Sequence, residues 1–383
     1  MSAGDVHLSA TTRRCIRMAQ NTAMAMVLER FGEPLVPTEY PIPELEPGAL
    51  LAKVTAAGIC GSDLDISGGL DPRIKLPMII GHEGVGEVIA TGGEKRDMFG
   101  NPIEVGDRIV WHRGVTCGRC YYCAVRRQPS LCLTRKVYGI MLPCGEPPHF
   151  NGCYAEVLYV RPQSEIMKLP DGADEGVLVS ATCSGATSAH GMELAGVQIG
   201  DTVLVIGPGP LGIYTAAFCM DQGASRVVMF GTARGVERMK IAESFGCTTV
   251  NISETTPEDR RQMLLDWTDG IGPDVVFDAA GTKQSVPEAI DVCSRGGTVV
   301  VTGVAVPQGE TPISMYEQVA VKNLRLQGVW VSDARHMYQA VKLALSGKYP
   351  FDRMVTHRFP LAQANEALAT LERREGIKIV LEP

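Results

Sequence analysis

The stretch VLVIGPGPLG, residues 203–212, constrains this chain more than any other. An apolar run of strand character meets Gly207, Gly209 and Gly212 in G-x-G-x-x-G spacing, with Pro210 and Leu211 inside the loop. A helical pattern, PLGIYTAAFCMDQG, follows at once. In that setting each glycine has a task. The first permits a tight turn, the second lets a pyrophosphate approach the backbone, and the third lets helix and strand pack closely. The phosphates then lie at a helix N-terminus. A Gly-rich turn without a ligand is the plainer reading, but the pattern continues. RVVMFG, DVVFDAAG and GTVVVTGVA read as further strands, and VERMKIAESFG and SVPEAIDVCSRG as helices between them. Four strands alternating with helices predict a parallel sheet covered on both faces.

The end of the second strand is where an acid would read an adenosine ribose hydroxyl. Here the sequence is VVMFGTARG, with Gly231 at that point, then Thr232 and Arg234. Glycine leaves room, threonine offers a hydroxyl and arginine a fork for phosphate, so a 2′-phosphorylated dinucleotide is the expectation. An ordinary loop with a solvated arginine is the alternative.

This unit does not account for the whole chain. A length of 383 residues calls for two domains. From Met24 to about residue 160 short alternating runs broken by Gly and Pro predict a β-rich domain, a barrel or two packed sheets. Residues 173–196 turn helical in pattern. Two amphipathic helices after residue 330 and the strand-like IKIVLEP close the chain. Residues 1–23, rich in Ser, Thr and Ala, read as a disordered extension, with a transit peptide as the lesser alternative. No apolar run is long enough for a membrane span, and a net charge of −7 argues against nucleic-acid binding. With no secretory signal, a cytoplasmic, reducing setting is expected, where the twelve cysteines favour metal ligation or burial over disulfides.

Two groups of residues fit metal chemistry. Cys117, Cys120, Cys123 and Cys132 lie within one short lobe, residues 112–135. Four closely spaced thiolates with no open position are the pattern of a closed structural zinc site. A redox pair would need a C-x-x-C opening a helix in another fold, and a nucleic-acid finger would need basic surroundings. The second group is dispersed. Cys60 in GICGSD, His82 and Glu83 in GHEGVGEV, and Cys183 in ATCSGATSAH supply two thiols and an imidazole, a set suited to Zn²⁺ with one open position. Such a position polarises an alcohol. Asp63 is placed to fix the tautomer of His82. Singly, each of these has a bland reading as a core thiol or a turn acid.

Taken together, these motifs make the chain resemble the zinc-dependent medium-chain alcohol dehydrogenases, including their sorbitol- and threonine-dehydrogenase relatives. The resemblance runs from about residue 24 to the end. It rests on GICGSD, GHEGVGEV, the cysteine lobe, CSGATSAH and GPGPLG in the family's order. It implies an α/β protein with a GroES-like β-barrel catalytic domain (24–185), a Rossmann doubly wound domain (186–330) and a C-terminal return (331–383) to the first. It implies a catalytic zinc on Cys60, His82 and Cys183 with Glu83 as an alternate ligand, and a structural zinc on the cysteine lobe. It places Ser62 at the substrate alcohol, and Thr187, Gly303 and Val304 beside the nicotinamide. Lys378 falls where many members set an arginine against the pyrophosphate. Two positions depart from the pattern. Asp65 stands where many members carry a relay histidine, and the loop AVRRQPSL before Cys132 is one residue longer.

The expected activity is reversible oxidation of an alcohol, secondary by preference, to a carbonyl with NAD(P), leaning to NADP. Ser62 and Asp65 would carry the proton. Alternatives are a zinc-independent quinone-reductase-like enzyme, which would lack the Cys/His set, and a non-catalytic nucleotide binder. Trp111, His112, His190, Trp330 and His336 are candidate pocket residues. The resemblance also implies a homodimer or homotetramer joined near VPQGETPISMYEQ, with a small-molecule alcohol or carbonyl as the other partner.

Overall fold

The computed structural model describes residues 21–383. Most of the expected N-terminal extension, with Cys15, lies outside the described residues. At its end the first strand, Thr22–Leu28, begins two residues ahead of Met24. It pairs with Val36–Pro41 and with Met78–Ile79.

The larger sheet of this half is built around Leu50–Ile59, a strand that is buried along most of its length. Antiparallel to it run Glu83–Thr91, Val157–Val160 and the C-terminal strand Lys378–Glu382. Register shifts near Leu51 and Val54 bend the central strand and curl the sheet, as bulges do. The two sheets close over an apolar core that includes Met26, Leu28, Trp111, Tyr138 and Phe150. The last strand belongs to this barrel, so the chain returns to its first half before it ends.

The second half is a six-stranded parallel sheet of order Thr248–Asn251, Arg226–Gly231, Thr202–Ile206, Val275–Asp278, Thr298–Val301 and Arg325–Gly328. Four strands were expected, and the two edge strands were not. TTVN and RLQG are too short and too polar to show as apolar runs. Gly303 and Val304 therefore follow the fifth strand of the sheet in chain order. The order reverses beside Thr202–Ile206, which is where an open α/β sheet leaves a crevice for a dinucleotide.

Between the halves runs a helical segment, Glu175–Ser180 and Ala186–Ala195, joined by a π turn at Ala181–Gly185. Asp174 caps its start by accepting hydrogen bonds from the N–H groups of Gly176 and Val177. The π turn carries Cys183.

Candidate active site

Register brings the dispersed ligands together. Gly58 pairs with Glu83 across the two central strands, so Cys60, just past the end of one, meets His82, just before the start of the other. The C-terminal strand pairs Ile379 with Ile59 on the opposite side. The π turn then lowers Cys183 onto this strand end. The ligand atoms of Cys60, His82, Glu83 and Cys183 all lie within 4.8 Å of one another.

The arrangement fits a metal. His82 is fully buried, and its Nε2 has no hydrogen-bond partner. An unpartnered buried imidazole nitrogen is costly unless a ligand takes it. Its Nδ1 lies 3.2 Å from Asp63 Oδ1, the second-layer contact expected for a ligating histidine. Asp63 is itself fixed: its Oδ2 accepts from Cys60 N at 2.9 Å and from Tyr154 Oη at 3.0 Å. Hydrogen bonding with Cys183, opposed by burial and aided by His82, holds the Cys60 thiol well below its usual value. That favours the thiolate a metal needs.

Ser62 Oγ lies 3.8 Å from Cys60 Sγ. Asp65 sits three residues on along the same short helix, Gly61–Ser67. Burial, then the nearby Cys60, Asp71 and Asp63, raise the Asp65 pKa. Lys378 corrects an expectation. It is buried, and its Nζ lies 2.6 Å from Glu83 Oε2 and 3.1 Å from the Ile59 carbonyl. Its strand register, one residue from Ile59, sends the side chain to the metal cluster and not into the nucleotide crevice. Burial pushes Glu83 up and the ammonium pulls it down; the ion pair is the state that leaves neither charge alone.

Arg113 had no signal of its own in the sequence. It is buried, Nη1 donates to Cys183 Sγ, and Nη2 donates to Thr187 Oγ1 at 3.3 Å. Beside it, Arg135 lies on Gly114. Burial, then the charges of Arg113 and Arg73, bring the Arg135 pKa down to about 9. His112, also buried, is pushed down to about 3 by burial and by the charges of Arg135 and Arg113, so it stays neutral. Of the other expected pocket residues, Trp111 is in the barrel core against Gly84. His336 accepts from Asp333 N at the start of helix Ala334–Ala344 and stacks on His190 at 4.5 Å. Both histidines hold structure together. Trp330 is half exposed under the Arg73 guanidinium, 5.2 Å from ring centroid to Cζ.

In the glycine loop, Gly207 has φ +111°, a conformation only glycine adopts freely. A Cβ on Gly212 would stand 2.0 Å from the Gly207 carbonyl oxygen, whereas one on Gly209 would meet nothing within 4 Å. The open side of Gly209 is where a phosphate can approach. Gly231 has a packing reason beside the one expected. A Cβ there would stand 2.6 Å from Met239 Sδ and 3.0 Å from Pro208 Cγ, so a side chain would displace its neighbours. Thr232 is half-buried and Arg234 exposed. A cavity of about 460 Å³ next to them is lined by Arg234, Arg238, His357 and Arg374 among others. Gly303 approaches Gly281 and Ala279 too closely for any side chain.

The cysteine lobe gathers as the spacing predicts. The four sulfurs lie within 4.8 Å of one another. Cys117 and Cys132 Sγ are 3.6 Å apart, as are Cys120 and Cys123. Tetrahedral zinc with bonds of about 2.3 Å sets sulfurs roughly 3.8 Å apart. Backbone N–H groups of Arg119 and Cys120 lower the Cys117 thiol to about 6.

Fold and site together define a nicotinamide-dependent, zinc-binding oxidoreductase. Comparison with known proteins agrees. Residues 46–171 match the alcohol dehydrogenase GroES-like domain, and residues 210–346 the zinc-binding dehydrogenase domain. The chain is 30% identical to 5-exo-hydroxycamphor dehydrogenase of Pseudomonas putida over 349 residues, 90% of this chain and 94% of that protein. It is 29% identical to sorbitol dehydrogenase of Gallus gallus over 367 residues, 94% and 96% of the two chains. An alcohol dehydrogenase structure from Thermotoga maritima superposes with a TM-score of 0.91 at 41% identity, covering 94% of this chain and 99% of that one. A zinc-binding dehydrogenase of Sinorhizobium meliloti 1021 bound to NADP gives 0.82 at 28%, covering 95% and 100%. The chain belongs to the zinc-dependent medium-chain alcohol dehydrogenase family. It is an alcohol oxidoreductase that uses zinc and a nicotinamide cofactor on a small-molecule alcohol. Among the described residues no helix is long and apolar enough to cross a membrane.

Proposed function

We propose that this enzyme interconverts a secondary alcohol and its ketone with NADP, at a zinc held by Cys60, His82 and Cys183. Glu83 serves as an alternate ligand released or held back by Lys378. The observation that carries the reading is the buried, partnerless Nε2 of His82 facing two cysteine sulfurs. Zinc bound there supplies polarisation of the substrate oxygen, and the nicotinamide supplies the hydride acceptor. The chain's own residues do the rest. Ser62 takes the hydroxyl proton, and Asp65 receives it on the way to solvent. A carboxyl raised toward working pH suits that step. Thr187, Gly303 and Val304 flank the nicotinamide. Gly207, Gly209 and Gly212, with Pro210 and Leu211, hold the pyrophosphate on the N-terminus of helix Pro210–Asp221.

A second zinc on Cys117, Cys120, Cys123 and Cys132 makes two per subunit, and its role is structural. The subunits form a homodimer or homotetramer in the cytoplasm. Support comes from the edge strand Arg325–Gly328 and from Met315, Tyr316 and Leu326, large apolar side chains exposed around it. The NADP preference is supported by the absence of an acid at Gly231, by Arg234, and by Arg238 and Arg374 in the adjoining cavity, whose lining also holds Glu237 and Glu375. Titration of zinc-loaded enzyme with NADPH and NADH, followed by nicotinamide fluorescence, tests it. NADPH should bind tighter by about tenfold or more, and Arg234→Ala should narrow the gap. Tighter NADH binding would reverse the coenzyme preference, and binding of neither would contradict the enzymatic reading.

A further inference from the structure

Two buried guanidinium groups neighbour one another on this side of the site, Arg113 against the metal cluster and Arg135 against Gly114. Arg113 and Arg135 are 6% and 9% exposed. Among the described residues neither forms an ion pair, and Arg113 Nε, Arg135 Nε and Arg135 Nη2 have no hydrogen-bond partner. A buried guanidinium without a partner is costly in desolvation, so a stable fold keeps one where something else answers its charge. The neighbouring groups do not answer it. His112 is neutral and faces Gly114 O and Ser332. Arg73 adds a third cation at the rim, but its own charge is matched by Asp71. Asp333 and the Cys132 thiol of the lobe are the remaining acids near Arg135, and the lobe's own ion would balance the thiolate. Asp333 Oδ1 accepts from Ser130 N, and its Oδ2 is 3.6 Å from Arg335. At most Asp333 offsets one of the two buried arginines. The Cys183 sulfur that receives Arg113 Nη1 is a candidate ligand, whose charge a bound cation would already balance.

The position is as telling as the charge. Arg113 touches both Cys183, a ligand of the proposed zinc, and Thr187, which in the proposed mechanism flanks the nicotinamide. A group bound by its free edge lies close to the carbinol. Resting on the proposed dehydrogenase function, we propose that the substrate alcohol carries an oxyanion, a carboxylate or a phosphate ester, near its carbinol carbon, and that Arg113 and Arg135 bind it. Paired guanidiniums suit either planar carboxylate or phosphate oxygens through bidentate hydrogen bonds.

Matched pairs of substrates test this on zinc-loaded enzyme with its nicotinamide cofactor: lactate against lactamide, β-hydroxybutyrate against its amide, and glycerol phosphate against glycerol. Calorimetric titration of the same compounds gives a readout independent of turnover. In one series the charged member should exceed its neutral partner by about 100-fold in kcat/KM and in affinity. A carboxylate pair or the phosphate pair showing the preference identifies the oxyanion. Arg113→Met should collapse that ratio, and Arg113→Lys should restore part of it. Should Arg113→Met fail to fold, the wild-type ratio and Arg135→Met still decide. Neutral members bound and turned over as well as charged ones throughout would overturn the oxyanion site while leaving hydride transfer standing. So would a ratio indifferent to both arginine variants. Anion binding that is lost in Arg113→Met, with no turnover of any alcohol, would keep the oxyanion site and count against the dehydrogenase function.

Discussion

Glu83 and Lys378 show how one residue can be read correctly in place and wrongly in role. The sequence puts Lys378 on the last strand, but its direction depends on which neighbour that strand pairs with, 319 positions away at Ile59. No local pattern carries that information. The consequence is testable. Glu83→Gln leaves a buried ammonium unmatched and should cost about 3–5 kcal/mol in urea unfolding. Glu83→Gln combined with Lys378→Met removes both charges and should recover most of it. Equal losses in the single and double variants would mean that the pair is not the cause. His112 makes a second case. Its folded pKa of about 3 lies below the ordinary histidine value. Between those two values the unfolded chain binds a proton and the folded one does not. Its contribution is therefore complete above about pH 6.5 and falls as pH drops toward 3, by on the order of 2 kcal/mol between pH 7 and pH 5. His112→Gln should flatten that limb of the stability profile; an unchanged acid limb would refute it.

At the scale of elements, spacing was the most readable signal. The cysteine lobe and the glycine loop are short, so their residues meet whatever the rest of the chain does. The lobe has little core of its own: Cys117, Cys120 and Cys123 are only part-buried, and Leu133 and Val125 are exposed. The proposed structural zinc would then be its main support. Cys123→Ser should remove one zinc per chain and lower the melting temperature by roughly 5 °C or more, measured by metal analysis and calorimetry. Full zinc content, or an unchanged melting temperature, would contradict a structural ion. Less was legible where packing decides. The edge strands Thr248–Asn251 and Arg325–Gly328 are polar and short, and the packing of Gly231 against Met239 and Pro208 depends on neighbours that only the folded sheet supplies. The π turn at Cys183 likewise looks like plain helix in sequence.

For the whole molecule, the proposed catalytic arrangement draws on both halves. Barrel strands set Cys60, His82, Glu83 and Lys378 at one end, and the connecting helical segment brings Cys183 and Thr187 beside the glycine loop's sheet. The ligand set could be listed from sequence motifs, but its buried cationic side, Arg113 with Arg135, emerged only from the fold. The central claim is that hydride passes at the dispersed metal site and not at the lobe. The most direct measurement is nicotinamide reduction by zinc-loaded wild type and Cys60→Ser across a panel of secondary alcohols, with zinc per chain determined for each. Wild type should reduce the cofactor, and Cys60→Ser should keep the lobe zinc yet lose activity by at least about 1000-fold. Turnover by Cys60→Ser at the wild-type rate, with only the lobe ion present, would contradict the account.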